Sequence, residues 1–161
     1  MISRELVVFL RGHFALDWGG IHGAPHWSRV RLNGLRLARL NGANPRVVEL
    51  FAFLHDACRV NDGHDPRHGQ RAAALIRELN GRAFAIQRDD VRLLELACYD
   101  HSEGRTRADI TVQTCWDADR LDLGRVGIIP DPRFLCTQVA RSPETIREAY
   151  RRSIVPDHGF A

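Results

Sequence analysis

Apolar residues recur at helical spacing along almost the whole chain, and no stretch alternates in the two-residue period of a strand. After Ser3, a good helix cap, Leu6, Val7, Phe9 and Leu10 form the inward face of a first helix reaching about Leu16. Trp18 to His26 is punctuated by glycine and proline and reads as a turn. Pro25 suits the first turn of a second helix, which runs to about Leu40 on a stripe of Val30, Leu37 and Leu40. Asn44 and Pro45 are the N-cap and first residue of a third. A fourth spans about Pro66 to Leu79 and is stopped by Asn80-Gly81. A fifth covers Arg88 to about His101, with Val91, Leu94, Leu96 and Ala97 apolar, and Ser102-Glu103-Gly104 breaks it. Asp109 caps a sixth that continues to Leu123, Gly124 to Pro132 is irregular, and Ser142-Pro143 opens a last helix. The tail after Val155 is expected to be loose. The pattern predicts an all-α, single-domain helical bundle over residues 1–161, of roughly six to eight helices.

One segment departs from the amphipathic pattern. From Val47 to Leu54 nearly every position is apolar, so this helix belongs in the core. It is too short to cross a bilayer, which takes ~20 apolar residues. His55 and Asp56 follow at once. Charged groups in a core are paired or bound to metal, and imidazole with carboxylate is a common ligand set for a divalent ion. Taken alone, the pair also fits a helix-end histidine beside a capping carboxylate. One helix cannot wrap an ion, so the rest of the chain must supply further ligands. His26 opens the second helix, Asp117, Asp119 and Asp122 share the sixth, and His68 and His101 stand at helix ends. The polar loop from Val60 to Gly69 directly follows the pair and carries Asp62 and Asp65.

Composition narrows the partners. The chain of 161 residues is 44% hydrophobic and 27% charged, ordinary for one globular domain. All 23 basic residues are arginine, so any phosphate contact is made by a guanidinium fork. No basic run or aromatic-interleaved patch occurs, which disfavours a nucleic acid polymer as partner. The four cysteines lack Cys-x-x-Cys spacing, excluding a zinc ribbon or thioredoxin-type site, and read as small reduced hydrophobes. The N-terminus has no secretory pattern, no membrane role is indicated, and a cytoplasmic location is expected. The apolar content can serve a homodimer interface as readily as a core.

The ordered ligands resemble the HD-domain metal-dependent phosphohydrolases. The resemblance runs from about His22 to Arg125. It rests on His26-x-x-Arg29-Val30, Phe53-Leu54-His55-Asp56, His68-Gly-x-Arg-Ala-Ala, Tyr99-Asp100-His101-Ser102 and Ala118-Asp119-Arg120-Leu121-Asp122. It implies an HD-type bundle in which His26, His55, Asp56 and Asp119 bind a divalent ion: manganese, iron, nickel, cobalt, zinc or magnesium. His68 and His101 match positions that in some branches hold a second metal and in others contact substrate phosphate, and they are assigned here to substrate together with Arg29 and Arg59. The implied reaction is hydrolysis of a phosphomonoester or phosphodiester, expected to be of a nucleotide, by metal-activated water. Asp56, Asp62 or Asp65 would orient the water or carry its proton. The longer signature of the cyclic-dinucleotide hydrolases is absent. Arg59 stands in the region where the alarmone-hydrolysing branch has an acidic pair and the nucleotidase branch often a glutamate. That departure keeps a second reading open, a non-catalytic module that senses a nucleotide. Oxidative chemistry at a two-iron centre, which such a fold can host, would need both His68 and His101 as ligands. Outside this set, Asp117 and Asp122 read as supporting or surface carboxylates, with Asp122 within reach of Arg125. Trp27 and Trp116 read as packing, His22 as lining the turn, and His13, His64 and His158 as surface or locally bonded.

Overall fold

The computed structural model describes residues 2–155. Its seven α-helices are α1 (Arg4–His13), α2 (Ala24–Asn41), α3 (Pro45–Leu54), α4 (His68–Leu79), α5 (Arg88–Asp100), α6 (Ile110–Arg120) and α7 (Pro143–Ile154). No strand occurs among the described residues, only a single bridge between Asn80 and Phe84. The starts are set by side chains that satisfy free backbone N–H groups. Ser3 Oγ accepts from the amide of Leu6 at 3.1 Å, Asn44 Oδ1 from that of Arg46 at 2.9 Å, and Asp109 Oδ1 from that of Thr111 at 2.8 Å. Helix α2 ends on Gly42, whose φ of +77° lies where a side chain is strained.

Helix α3 is the axis of the molecule. Its Val47, Leu50, Phe51, Ala52 and Leu54 are wholly buried, and removing each large one from water stabilises the fold by ~1.5–3 kcal/mol. Helices α2, α5 and α6 surround it and α4 packs on α5. Two glycines permit the close approaches. A Cβ on Gly34 of α2 would run into Val48 of α3, and one on Gly69 of α4 would lie 2.5 Å from the Cys98 carbonyl oxygen of α5. Helix α7 lies outside this core on a separate cluster, with Ile146 and Ala149 against Leu37, Leu121 and Leu135.

The expected helices are all present, with adjusted ends. Helix α1 stops at His13 rather than Leu16, because Phe14 turns inward to pack edge-on against Trp27 with ring centres 5.2 Å apart. Helix α4 begins at His68 rather than Pro66, and α6 ends at Arg120, followed by a 3₁₀ turn over Leu123–Val126. Three apolar positions assigned inward are exposed, namely Phe9, Leu40 and Leu96. Trp27 and Trp116 are core residues, and all four cysteines are buried and free. No helix among the described residues is long and apolar enough to cross a membrane. His158 and the tail after Val155 include residues outside the described range.

Candidate metal centre

Four helix ends converge on Asp56. His26 lies in the first turn of α2, His55 caps the end of α3, His68 opens α4 and His101 caps the end of α5. All four imidazoles are buried, His26 and His55 completely. Their burial follows from helix ends meeting inside the bundle, and the close approach at Gly69 brings His68 against His101.

Each ring has one nitrogen occupied. His26 Nδ1 meets Asp122 Oδ2 at 2.7 Å, His55 Nδ1 the Phe51 carbonyl at 3.1 Å and His101 Nδ1 the Cys98 carbonyl at 2.7 Å; His68 Nδ1 meets the Asp65 carbonyl. These oxygens only accept, so each Nδ1 carries the proton and each Nε2 presents a lone pair. The Nε2 atoms then face one another: His26 and His55 at 3.0 Å, His68 and His101 at 2.8 Å. Opposed lone pairs repel unless a cation lies between them. Holding the far ring nitrogen on an acceptor is how proteins prepare a metal-ligating histidine.

Carboxylates complete two groups. Asp119 Oδ1 is 3.3 Å from His26 Nε2 and 3.8 Å from His55 Nε2. Asp56 Oδ2 is 3.8 Å from His26 Nε2 and 3.6 Å from His55 Nε2. The other oxygen, Asp56 Oδ1, is 3.5 Å from both His68 Nε2 and His101 Nε2. Ligands sharing one ion at ~2.0–2.2 Å stand ~3–4 Å apart; His26, His55 and Asp56 form a compact group that could hold one divalent ion, with Asp119 beside both imidazoles. Asp56, His68 and His101 form a second compact group that could hold one.

The electrostatics favour positive charge here. Burial pushes His55 down to about 3, keeping it neutral. Burial alone would raise the Asp56 carboxyl, but His55, His101 and His26 outweigh it and hold it well below the usual range. Burial likewise opposes ionisation of Asp119, yet its closeness to His26 and the Arg125 guanidinium keeps it low. His101 is pulled down by burial and raised on balance by the Asp56 and Asp119 carboxylates beside it. Two carboxylates that stay ionised inside a buried cavity attract a cation.

The arginines expected to hold phosphate have protein partners. Arg29 Nε donates to Asp122 Oδ1 at 2.7 Å and its Nη2 to Asp122 Oδ2 at 3.2 Å, which fixes the carboxylate that orients His26. Arg59 Nε donates to Asp56 Oδ1 at 3.0 Å. His68 and His101, assigned to substrate, meet Asp56 and each other. Of the loop carboxylates, Asp65 has its side chain bound to Arg71 at 2.5 Å and to the Val60 amide at 3.0 Å, and so braces the loop. Asp62 is half exposed and bonded to His22 Nδ1 at 2.8 Å. Sequence reading missed two contributors. Arg125 donates to the Ile21 carbonyl at 2.9 Å and brings Nη2 to 4.0 Å from Asp119. His22, four residues before His26, is buried and joined to Asp62; the His-x-x-x-His spacing was its only signal.

No family model matches the chain, and neither does any curated protein. Among solved structures, the chain is similar to a protein of an uncultured Thermotogales bacterium described as a predicted HD superfamily hydrolase. The TM-score is 0.71 at 24% identity, over 92% of this chain and 84% of that one. The fold is the HD-domain fold. At this identity the likeness concerns the backbone. Within the HD fold of this chain, the expected ligand order His26, His55-Asp56, Asp119 is brought to one place by the packing of α2, α3 and α6.

Proposed function

We propose that the protein is a metal-dependent hydrolase and that its substrate is a phosphomonoester or phosphodiester of a nucleotide. The observation that carries the reading is the set of four buried imidazoles, each holding Nδ1 on an acceptor and turning Nε2 toward Asp56. The HD fold and the description of the similar Thermotogales protein as a hydrolase support it. His26, His55, Asp56 and Asp119 hold the divalent ion. When bound, such an ion lowers the pKa of water, toward ~7 for zinc, and draws charge from a phosphoryl oxygen. Asp122 and Arg29 keep His26 in the ligating tautomer. Arg125, held by the Ile21 carbonyl and near Asp119, takes negative charge building on the phosphoryl group.

The proton of the attacking water goes to His22. Burial lowers its pKa, so it is neutral at pH 7, and Asp62 holds Nδ1, leaving Nε2 as the acceptor. Asp62 therefore acts through His22. With manganese-loaded protein, a panel of nucleotides and nitrophenyl phosphates should yield product that is lost in His55→Ala, Asp56→Ala. His22→Gln should lower kcat by ~10²–10⁴-fold with little change in KM and remove the acidic limb of the pH profile. An unchanged profile would exclude His22, and a wholly inert, non-binding panel would sink the hydrolase reading.

A second reading is a nucleotide-sensing module without turnover. It is favoured by one feature: Arg59 lies on Asp56, and Asp65 is spent on Arg71. Tight nucleotide binding with no product over long incubation selects it.

A further inference from the structure

We infer that Arg59 restricts this centre to one tightly held ion, by fixing a guanidinium on the carboxylate oxygen that a second ion would need. The inference rests on the metal-binding reading above and concerns how many ions the centre takes. By ligand chemistry alone the centre has room for two. Asp56 Oδ2 serves His26 and His55, and Oδ1 stands 3.5 Å from each of His68 and His101. Yet Arg59 Nε donates to that same Oδ1 at 3.0 Å.

A guanidinium is a planar fork suited to holding a carboxylate, and this one cannot swing away freely. Its Nη1 donates to the Asn61 and Gly63 carbonyls, each at 3.3 Å, and its side chain is 13% exposed. The loop after α3 therefore clamps it from behind.

Charge counting separates the two positions. The first group has Asp119 as its own carboxylate, close to both His26 and His55. The second group has only Asp56, shared with the first, and Arg59 neutralises that single charge. A divalent ion at the first position meets net negative charge. One at the second would meet two imidazoles, an oxygen already bonded to a guanidinium, and the first ion. Like charges this close in a buried site are strongly disfavoured. Two-ion chemistry, including any at a two-iron pair, is thereby disfavoured in this chain.

Metal stoichiometry tests this without reference to activity. Protein saturated with manganese and then desalted is analysed for metal per chain by mass spectrometry, and metal-free protein is titrated calorimetrically. Wild type should retain one equivalent and bind a second at least ~10-fold more weakly. Arg59→Met should retain two, with the electron paramagnetic resonance signature of a coupled manganese pair. Arg59→Lys, which keeps the charge, should retain one, and Arg59→Met with His68→Ala should return to one. Wild type holding two ions of equal affinity overturns the inference, as does folded Arg59→Met holding one. If Arg59→Met fails to fold, Arg59→Gln is read in its place by the same criterion. Wild type holding none would overturn the metal reading itself, and this inference with it.

Discussion

Asp117 and Asp56 are both buried aspartates in the same bundle, and their surroundings are opposite. Asp117 meets donors: the Cys136 amide at 2.5 Å, the Thr137 amide at 2.8 Å and the Thr137 hydroxyl at 2.8 Å. It ties the segment after α6 to the bundle, and burial raises its pKa. Asp56 meets four imidazole nitrogens whose protons are on the far side of the rings, and Arg59 as its one strong donor. A carboxylate whose lone pairs are matched by N–H and O–H groups is finished as a structural element. A carboxylate ringed by other lone pairs is finished only by a cation. Burial and residue type are alike at the two sites, so the sign of the neighbours distinguishes a brace from a binding site.

Replacing each carboxylate by its amide should break the comparison in opposite ways. Asp56→Asn removes the charge that the imidazoles share, and metal affinity should fall by more than ~100-fold in calorimetric titration. The new amide can donate to a facing Nε2, so the metal-free variant should melt no lower than metal-free wild type. A large loss of stability without metal would show that Asp56 is a brace after all. Asp117→Asn places an amide NH₂ among donors and should cost about 3 kcal/mol in urea unfolding, while metal per folded chain stays unchanged. If metal is lost as well, the two sites are not independent.

Asp65 is an intermediate case, a carboxylate matched by a guanidinium, and it gives the smallest effect. Arg71 pulls its pKa down to about 2 from an ordinary 3.8. A folded-state value below the unfolded one means the stabilisation is present above about pH 4 and is lost as pH falls toward 2. Because Arg71 is partly exposed, Asp65→Asn should lower stability by only ~1–2 kcal/mol at pH 7. That difference from wild type should vanish by pH 2 in acid-dependent unfolding. A difference that persists there would assign the loss to packing rather than to the ion pair.

The helices were legible because their signals are local. Asn44-Pro45 and the apolar run after it define α3, and Ser3, Asp109 and Ser142-Pro143 place other starts. The inward stripes were legible only in part. Helical spacing identifies a face, but not where the neighbouring helix ends, so Leu40 and Leu96 continue their stripes into solvent. The ligand order was legible because each candidate sits at a helix end, where a short apolar run gives way to His or Asp. The partners of Arg29, Arg59 and Asp65 were not. A flexible guanidinium can reach any of several carboxylates, and local sequence does not say which one the fold brings near.

The sequence by itself determined an all-α chain and the order His26, His55-Asp56, His68, His101, Asp119 at its helix ends. Tertiary structure decided which atoms face one another. His26 and His55 are 29 residues apart, and His26 and Asp122 are 96 apart. Their contact distances are set to fractions of an ångström by how closely α2, α3, α5 and α6 pack, including the approaches that Gly34 and Gly69 allow. Pattern and propensity act over a few residues, whereas the division of Asp56 between two imidazole pairs and Arg59 exists only once the core has closed around it.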